Sequence, residues 1–175
     1  GAWEYDLVRD QLCWSEEVFR IFQVRPGEFE GNFQAFAARV HPEDLRRLQE
    51  LQAQTVAGGP DLDVEHRILL PGGITGYVHE RASLLRDDQG RPWKISGSVQ
   101  DITERKLARA MEDGQRLVLD AIAKRRPLPE VLLLIVRLAE RQLPDALTSV
   151  LLLDAAGQHV RMGAAPSLPA EYNAA

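Results

Sequence analysis

Apolar residues first gather in two short clusters, residues 2–7 and 11–14, joined across Val8, Arg9 and Asp10, a pattern that predicts a β-hairpin. Ser15 then stands as the N-cap of a short helix. Its first turn holds Glu16 and Glu17, acids favoured at the positive helix end, and Val18, Phe19 and Phe22 share one face. This helix is expected to stop near Pro26 and Gly27. Phe33, Phe36, Ala37 and Val40 recur at helical spacing and predict a second short helix with an aromatic stripe for core packing. In His41-Pro42-Glu43-Asp44, Pro42 is preset for the first helical position and the acids fall in the first turn. Leu45, Leu48, Leu51 and Val56 form the apolar side of this third helix, which Gly58-Gly59-Pro60 closes.

The period then drops to two. Leu62, Val64, His66, Ile68 and Leu70 alternate with Asp63, Glu65 and Arg67, as a half-buried strand requires. Pro71-Gly72-Gly73 is a turn, residues 74–85 form the partner strand, and residues 87–92 turn again, with Gly90 supplying positive φ. Trp93, Ile95, Gly97 and Val99 alternate through a last strand. Glu65 and Arg67 face away from the apolar set and are expected to pair across strands with Glu80 or Arg81. The sum is an antiparallel α+β domain whose sheet has one covered face.

From Ile102 the period lengthens. Asp101-Ile102-Thr103-Glu104 has capping-box spacing, in which Asp101 accepts from first-turn amides and Glu104 reaches back. Leu107, Met111, Gly114, Val118 and Ala121 follow at alternating steps of four and three, a coiled-coil seam of about two heptads. Gly114 costs this helix about 1 kcal/mol relative to alanine, so the parallel dimer the seam predicts is a weak one. After Pro127 and Pro129, residues 130–142 resume a helix on Val131, Leu134, Ile135 and Leu138, and Pro144 is expected to end it. Residues 147–153 and 159–164 predict a hairpin across Asp154 to Gly157. A helix pair with one hairpin is too little to close its own core, so this last third is expected to be an incomplete domain of an excised fragment.

Composition narrows the chemistry. The 175 residues are 45% hydrophobic and 27% charged, a globular balance. A net charge of −5 without a long basic block argues against nucleic acid. The densest basic run, Lys124-Arg125-Arg126, reads as a solvated helix end. Cys13 is the single cysteine, which excludes an internal disulfide and fits a reducing, cytoplasmic setting. No apolar run approaches the roughly 20 residues of a membrane span. His41, His66, His79 and His159 stand in separate elements without metal-ligand spacing. His41 reads as a helix-start residue and His66 as a satisfied histidine on the inward strand face. No nucleophile, base and orienting group cluster, so neither a catalytic nor a metal site is expected.

The succession Gly1-Ala2-Trp3-Glu4, Trp14-Ser15, His41-Pro42-Glu43-Asp44, Glu65-His66-Arg67, Pro71-Gly72-Gly73, residues 87–90 and residues 97–106 resembles a PAS domain of the His-Pro-Glu-Asp subtype, ending in Asp-Ile-Thr. The resemblance implies a five-stranded antiparallel sheet with flanking helices and a small cavity between them. Candidate lining residues are Phe22, Phe36, Val40, His66, Ile68, Ile95 and Val99. It also implies that signals leave through Asp101, Ile102, Thr103 and Glu104. A flavin–cysteine adduct is not expected, because Cys13 stands in an N-terminal strand and the Asn-Cys-Arg motif is absent. Non-covalent flavin or haem stays open, with neither required. Residues 111–175, including Val118 to Ala123, Ser149 to Asp154 and Ala164 to Tyr172, resemble the start of a GAF domain. The expected organisation is a PAS sensor at 1–101, a linker helix at 102–124 and a truncated GAF portion at 125–175. The resemblance implies a bacterial sensory module that binds a small molecule or relays a signal, non-enzymatic in itself, with a cyclic di-GMP cyclase or phosphodiesterase as output. A histidine kinase output and a ligand-free dimerisation scaffold are the alternatives.

Overall fold

The computed structural model describes residues 1–142 and 146–169, which fall into two compact units, Gly1–Lys106 and Leu107–Ala175. The first unit opens with a hairpin of β1 (Ala2–Asp6) and β2 (Gln11–Trp14). Helices α1 (Glu16–Phe22), α2 (Phe33–Ala37) and α3 (Pro42–Val56) follow, then strands β3 (Leu62–Leu69), β4 (Thr75–Arg86) and β5 (Pro92–Asp101). The five strands form an antiparallel sheet in the order β2-β1-β5-β4-β3, so the last strand lies at the centre, between the first and the fourth. The helices are held by what lies inward. Phe22, Val18, Phe36, Val40 and Leu48 are buried against Val64, Ile68, Val78, Ile95 and Val99 of the sheet in one hydrophobic core. The period-two alternation of β3 is realised in full, with Leu62, Val64, His66 and Ile68 buried.

Local chemistry sets the element boundaries. Pro42 occupies the first turn of α3, and the His41 ring accepts from the Glu43 amide at 3.3 Å. Asn32 caps α2 by accepting from the Ala35 amide at 2.8 Å. At α1 the expected side-chain cap does not form. Ser15 has N-cap backbone geometry, yet its hydroxyl accepts from the Ala2 amide at 3.0 Å and so closes the first hairpin. Trp93 also departs from the alternation. It is 41% exposed at the start of β5, where the pairing with β4 shifts register beside Arg86, and Lys94 sits over its ring.

In the second unit, helix α4 (Thr103–Ala123) continues from the first, followed by α5 (Leu128–Gln142) and a hairpin of β6 (Val150–Leu153) and β7 (Val160–Ala164). The expected end of α5 at Pro144 and the motif around Glu171 and Tyr172 lie outside the described residues. The expected heptad seam divides. Gly114 and Ala121 are buried, and a Cβ at Gly114 would collide with Leu138 of α5, whereas Leu107 and Met111 are 60% and 44% exposed. Gly114 is therefore a close-approach residue for α5.

Candidate functional site

Two neighbouring features of the first unit can carry a signal: a cavity over the sheet, and the junction where the sheet becomes α4. The cavity is lined on the sheet side by Trp3, Tyr5, Leu12, Leu62, Glu80, Ile95 and Val99, and on the helix side by Val18, Phe22, Phe36 and Leu48. Of the expected lining residues, Phe22, Phe36, Ile95 and Val99 belong to it; Val40, His66 and Ile68 do not. Val40 bridges Ile68 across the backbone and both fill the core beyond it, while the His66 ring packs edge-on against Phe36 at 6.2 Å. The cavity is small, about 30 Å³. Room for a water needs about 10–15 Å³ on this measure, so the space suits two or three waters, far below a pocket for a flavin or haem.

Six of its fifteen lining residues are aromatic. Trp14 stacks on Phe29 at 3.8 Å and on Phe22 at 4.7 Å between ring centroids, and Tyr5 lies 6.1 Å from Phe33. Burial, then the hydrogen bond from its hydroxyl to Asp10, pushes the Tyr5 phenol up to about 12. Cys13 points the other way, exposed, between the lining residues Leu12 and Trp14.

Alternation along β4 buries Val78, Glu80 and Ala82, so Glu80 faces inward and cannot pair with Glu65 or Arg67, contrary to the sequence expectation. Instead its Oε2 lies 3.1 Å from His66 Nε2, both side chains under a tenth exposed. This pair answers the cost of burying each group alone. His66 is satisfied, as its place on the inward face implied; Glu80 was missed. The run Val78, Glu80, Ala82 and Leu84 at a period of two was the signal that could have found it.

Outward-facing Arg67 and Glu65 lead away from the cavity in two directions. Arg67 forms a bidentate ion pair with Asp44 at 2.7 and 3.0 Å and reaches Glu43 at 2.8 Å, tying β3 to the first turn of α3. The Arg67 hydrogen bonds, from both side chain and backbone, hold the Asp44 carboxyl at about 2, and the same contacts push the Arg67 guanidinium up. Glu65 accepts from Arg105 at 2.8 Å and pairs with Lys106 at 2.5 Å, both in the first turn of α4. Lys106 above all lowers the Glu65 carboxyl.

The junction itself is held by backbone and hydroxyl. The Ile102 amide donates to Tyr77 O at 2.9 Å, the Thr103 hydroxyl accepts from the Tyr77 amide at 2.9 Å, and Ile102 is buried. Asp101 accepts from the Thr103 amide at 2.8 Å. The expected capping box is thus half formed: the bond from Asp101 is present, and no return bond from Glu104 occurs among the described residues. Asp101 is still paired with Val78 as the last residue of β5, so the residue before the helix is Ile102. Thr103 is the tighter tie to the sheet. Among the described residues no His, Cys, Asp or Glu cluster could hold a metal, and no helix is long and apolar enough to cross a membrane.

A central terminal strand runs into a helix beside a small cavity, and the whole is an antiparallel α+β domain. The family model for the PAS fold matches residues 11–99, and the chain belongs to that family. It is 36% identical over 175 residues to a methyl sulfide methyltransferase-associated sensor of Methanosarcina acetivorans, and 24% identical over 104 residues to a protein of Escherichia coli named "Probable diguanylate cyclase DgcE". These matches span 99% and 59% of this chain but 17% and 9% of the relatives, so the chain corresponds to a small part of much longer proteins. Among solved structures, a sensory box histidine kinase/response regulator from Burkholderia thailandensis superposes with a TM-score of 0.57 at 21% identity, covering 71% of this chain and 90% of that one. That likeness establishes the fold.

Proposed function

We propose that this chain senses through the cavity of its first unit and relays the result through Asp101, Ile102 and Thr103 into α4. The observation that carries the proposal is the pair of bonds from Tyr77 to Ile102 and Thr103. They make the first turn of the helix an extension of β4, the strand that also presents Glu80 to the cavity. A shift of β4 by a fraction of an ångström then changes the helix start directly, and bistable packing downstream turns such shifts into discrete states. The second unit is assigned as the N-terminal portion of a GAF domain. Leu107 and Met111, exposed on α4, form the parallel contact with a second copy. The output is a diguanylate cyclase or phosphodiesterase, in keeping with the name of the Escherichia coli relative, and the module works in the cytoplasm without catalysis of its own.

Hydrogen exchange tests the relay. Thr103→Val removes the hydroxyl that accepts from the Tyr77 amide while keeping a branched side chain. The Tyr77 amide and the first turn of α4 are expected to exchange about tenfold faster, with the core of β5 unchanged, as for loss of one hydrogen bond of about 1.4 kcal/mol. Unaltered exchange at both places would remove the mechanical link on which the proposal stands.

A further inference from the structure

Two ionisable side chains meet inside the core of the first unit. Those of His66 and Glu80 are 2% and 8% exposed, and both ring nitrogens of His66 lie against acceptors. Nδ1 is 3.3 Å from Arg67 O, and Nε2 is 3.1 Å from Glu80 Oε2. A carbonyl only accepts, so Nδ1 carries a hydrogen when it bonds Arg67 O. Nε2 and Oε2 then hold one further hydrogen between them, on the ring as half of an ion pair or on the carboxyl of a neutral pair. Removing that hydrogen sets two lone pairs against each other. A change of tautomer restores the bond to Glu80, but the Nδ1 lone pair then faces Arg67 O. One contact is lost in either case, and a carboxylate charge is left buried without a counter-ion.

Among the described residues no neighbouring group is placed to take over that charge. Of the other residues lining the cavity, from α1, α2, α3 and the remaining strands, only Tyr5 is ionisable, and its phenol, pushed up to about 12, stays neutral. At the head of α3, the His41 amide donates to the same Arg67 O, while Glu43 and Asp44 are engaged by the outward Arg67 side chain. On the outer face of the sheet, His79 and Arg81 pair with Asp63, and Glu65 pairs with Arg105 and Lys106.

The pair also stands in the part of the sheet that meets α4. His66, Val78 and Asp101 lie opposite one another in one row across β3, β4 and β5, and Glu80 follows Tyr77 and Val78 along β4. Glu80 borders the cavity, whose room for about two or three waters puts solvent within reach of the carboxylate. We infer that the His66–Glu80 pair is a proton-binding site, and that the row through Val78 carries its gain or loss of a proton to the start of α4. With the proton bound, β3 and β4 are tied together inside the core. With the proton returned to water, that tie is broken and the ladder from His66 to Asp101 loosens beside Tyr77. This inference rests on the relay proposed above and adds what the relay responds to.

Nuclear magnetic resonance of 13C,15N-labelled chain between about pH 5 and 8, the range in which histidines switch, tests it. The four histidine rings are assigned through their own backbones. The His66 ring nitrogens are expected to titrate in one step, with the Tyr77, Val78 and Thr103 amide shifts following the same curve. Protection of the Tyr77 amide, corrected for the pH dependence of exchange itself, should be about tenfold lower at the high end, for want of one hydrogen bond. In Glu80→Gln the side-chain amide donates to Nε2 while Nδ1–H keeps Arg67 O, so both bonds form without an ionisable proton. His66 should there stay neutral throughout, and the junction shifts should be flat. A His66 ring that does not titrate in wild type, a junction that stays still while it does, or one that follows His41 or His79 instead overturns the inference. So does a Glu80→Gln junction that still shifts with pH. The relay is judged separately by Thr103→Val at one fixed pH, where no proton is exchanged.

Discussion

The two units are built from elements of equal regularity, yet they bury their apolar residues very differently. In the first, the space between sheet and helices is filled: Phe22, Ile68, Ile95, Val18 and Val78 are all almost fully enclosed. In the second, Val136, Val131, Leu132 and Ala165 are buried, while Leu117, Leu119, Ile122, Leu151, Leu153 and Val160 are each more than half exposed. Alternation and helical period form elements in both. A core closes only where layers cover each other on every apolar face; in the second unit Leu132 of α5 lies against Gly163 on one face of the β6–β7 hairpin, and Leu151 and Leu153 are left on the other.

Truncation at matched positions is the strongest way to break this comparison. Phe22→Ala is expected to destabilise the first unit by about 3–5 kcal/mol, and Leu151→Ala to change stability by under about 0.5 kcal/mol. Trp3, Trp14 and Trp93 all belong to the first unit, so tryptophan fluorescence in a urea titration reads that unit by itself, and circular dichroism reads both. Equal losses from the two variants would mean that Leu151 is covered in solution.

Gly114→Ala sharpens the contrast inside the second unit. Helix propensity alone predicts a gain of about 1 kcal/mol. The collision with Leu138 opposes it with an overpacking cost of about 1–3 kcal/mol, for a net loss of up to about 2 kcal/mol. The loss should appear in the helical dichroism and leave the tryptophan transition in place. A more stable variant would show that α4 and α5 do not approach at Gly114.

The smallest expected effect separates a buried tie from a solvated one. Asp44 has a folded value of about 2 against an ordinary 3.8. Its contribution is therefore complete above about pH 4 and is lost as pH falls through about 2. Because the pair is partly exposed, the loss amounts to about 1 kcal/mol. Asp44→Asn should abolish that part of the acid dependence when stability is measured between pH 2 and 5. An unchanged profile would place the Arg67 contact outside the folded core's energetics.

Most elements were legible because their signals are local. The alternation in β3, Pro42 at the start of α3 and the shift of period at Ile102 each specify an element from residues within a few positions. Asp101 was legible as a contact to the helix start for the same reason. What escaped depends on which strand lies beside which. Glu65 and Arg67 were given to neighbours across the sheet, but β3 is an edge strand, so their partners come from α4 and α3. Val40, His66 and Ile68 share the core with the cavity residues, and only three-dimensional packing decides which side chains border empty space.

By itself the sequence determined the kinds of element, their order and the face each turns inward, because apolar period and turn chemistry act between residues close in the chain. The tertiary structure decided the long-range assignments: Glu80 beside His66, Trp3 laid across Gly97 without an acceptor, and Thr103 fastened to Tyr77. Those contacts join residues from 14 to 94 positions apart, and no local propensity specifies a partner at that distance; burial does, by making each polar group find one or go without.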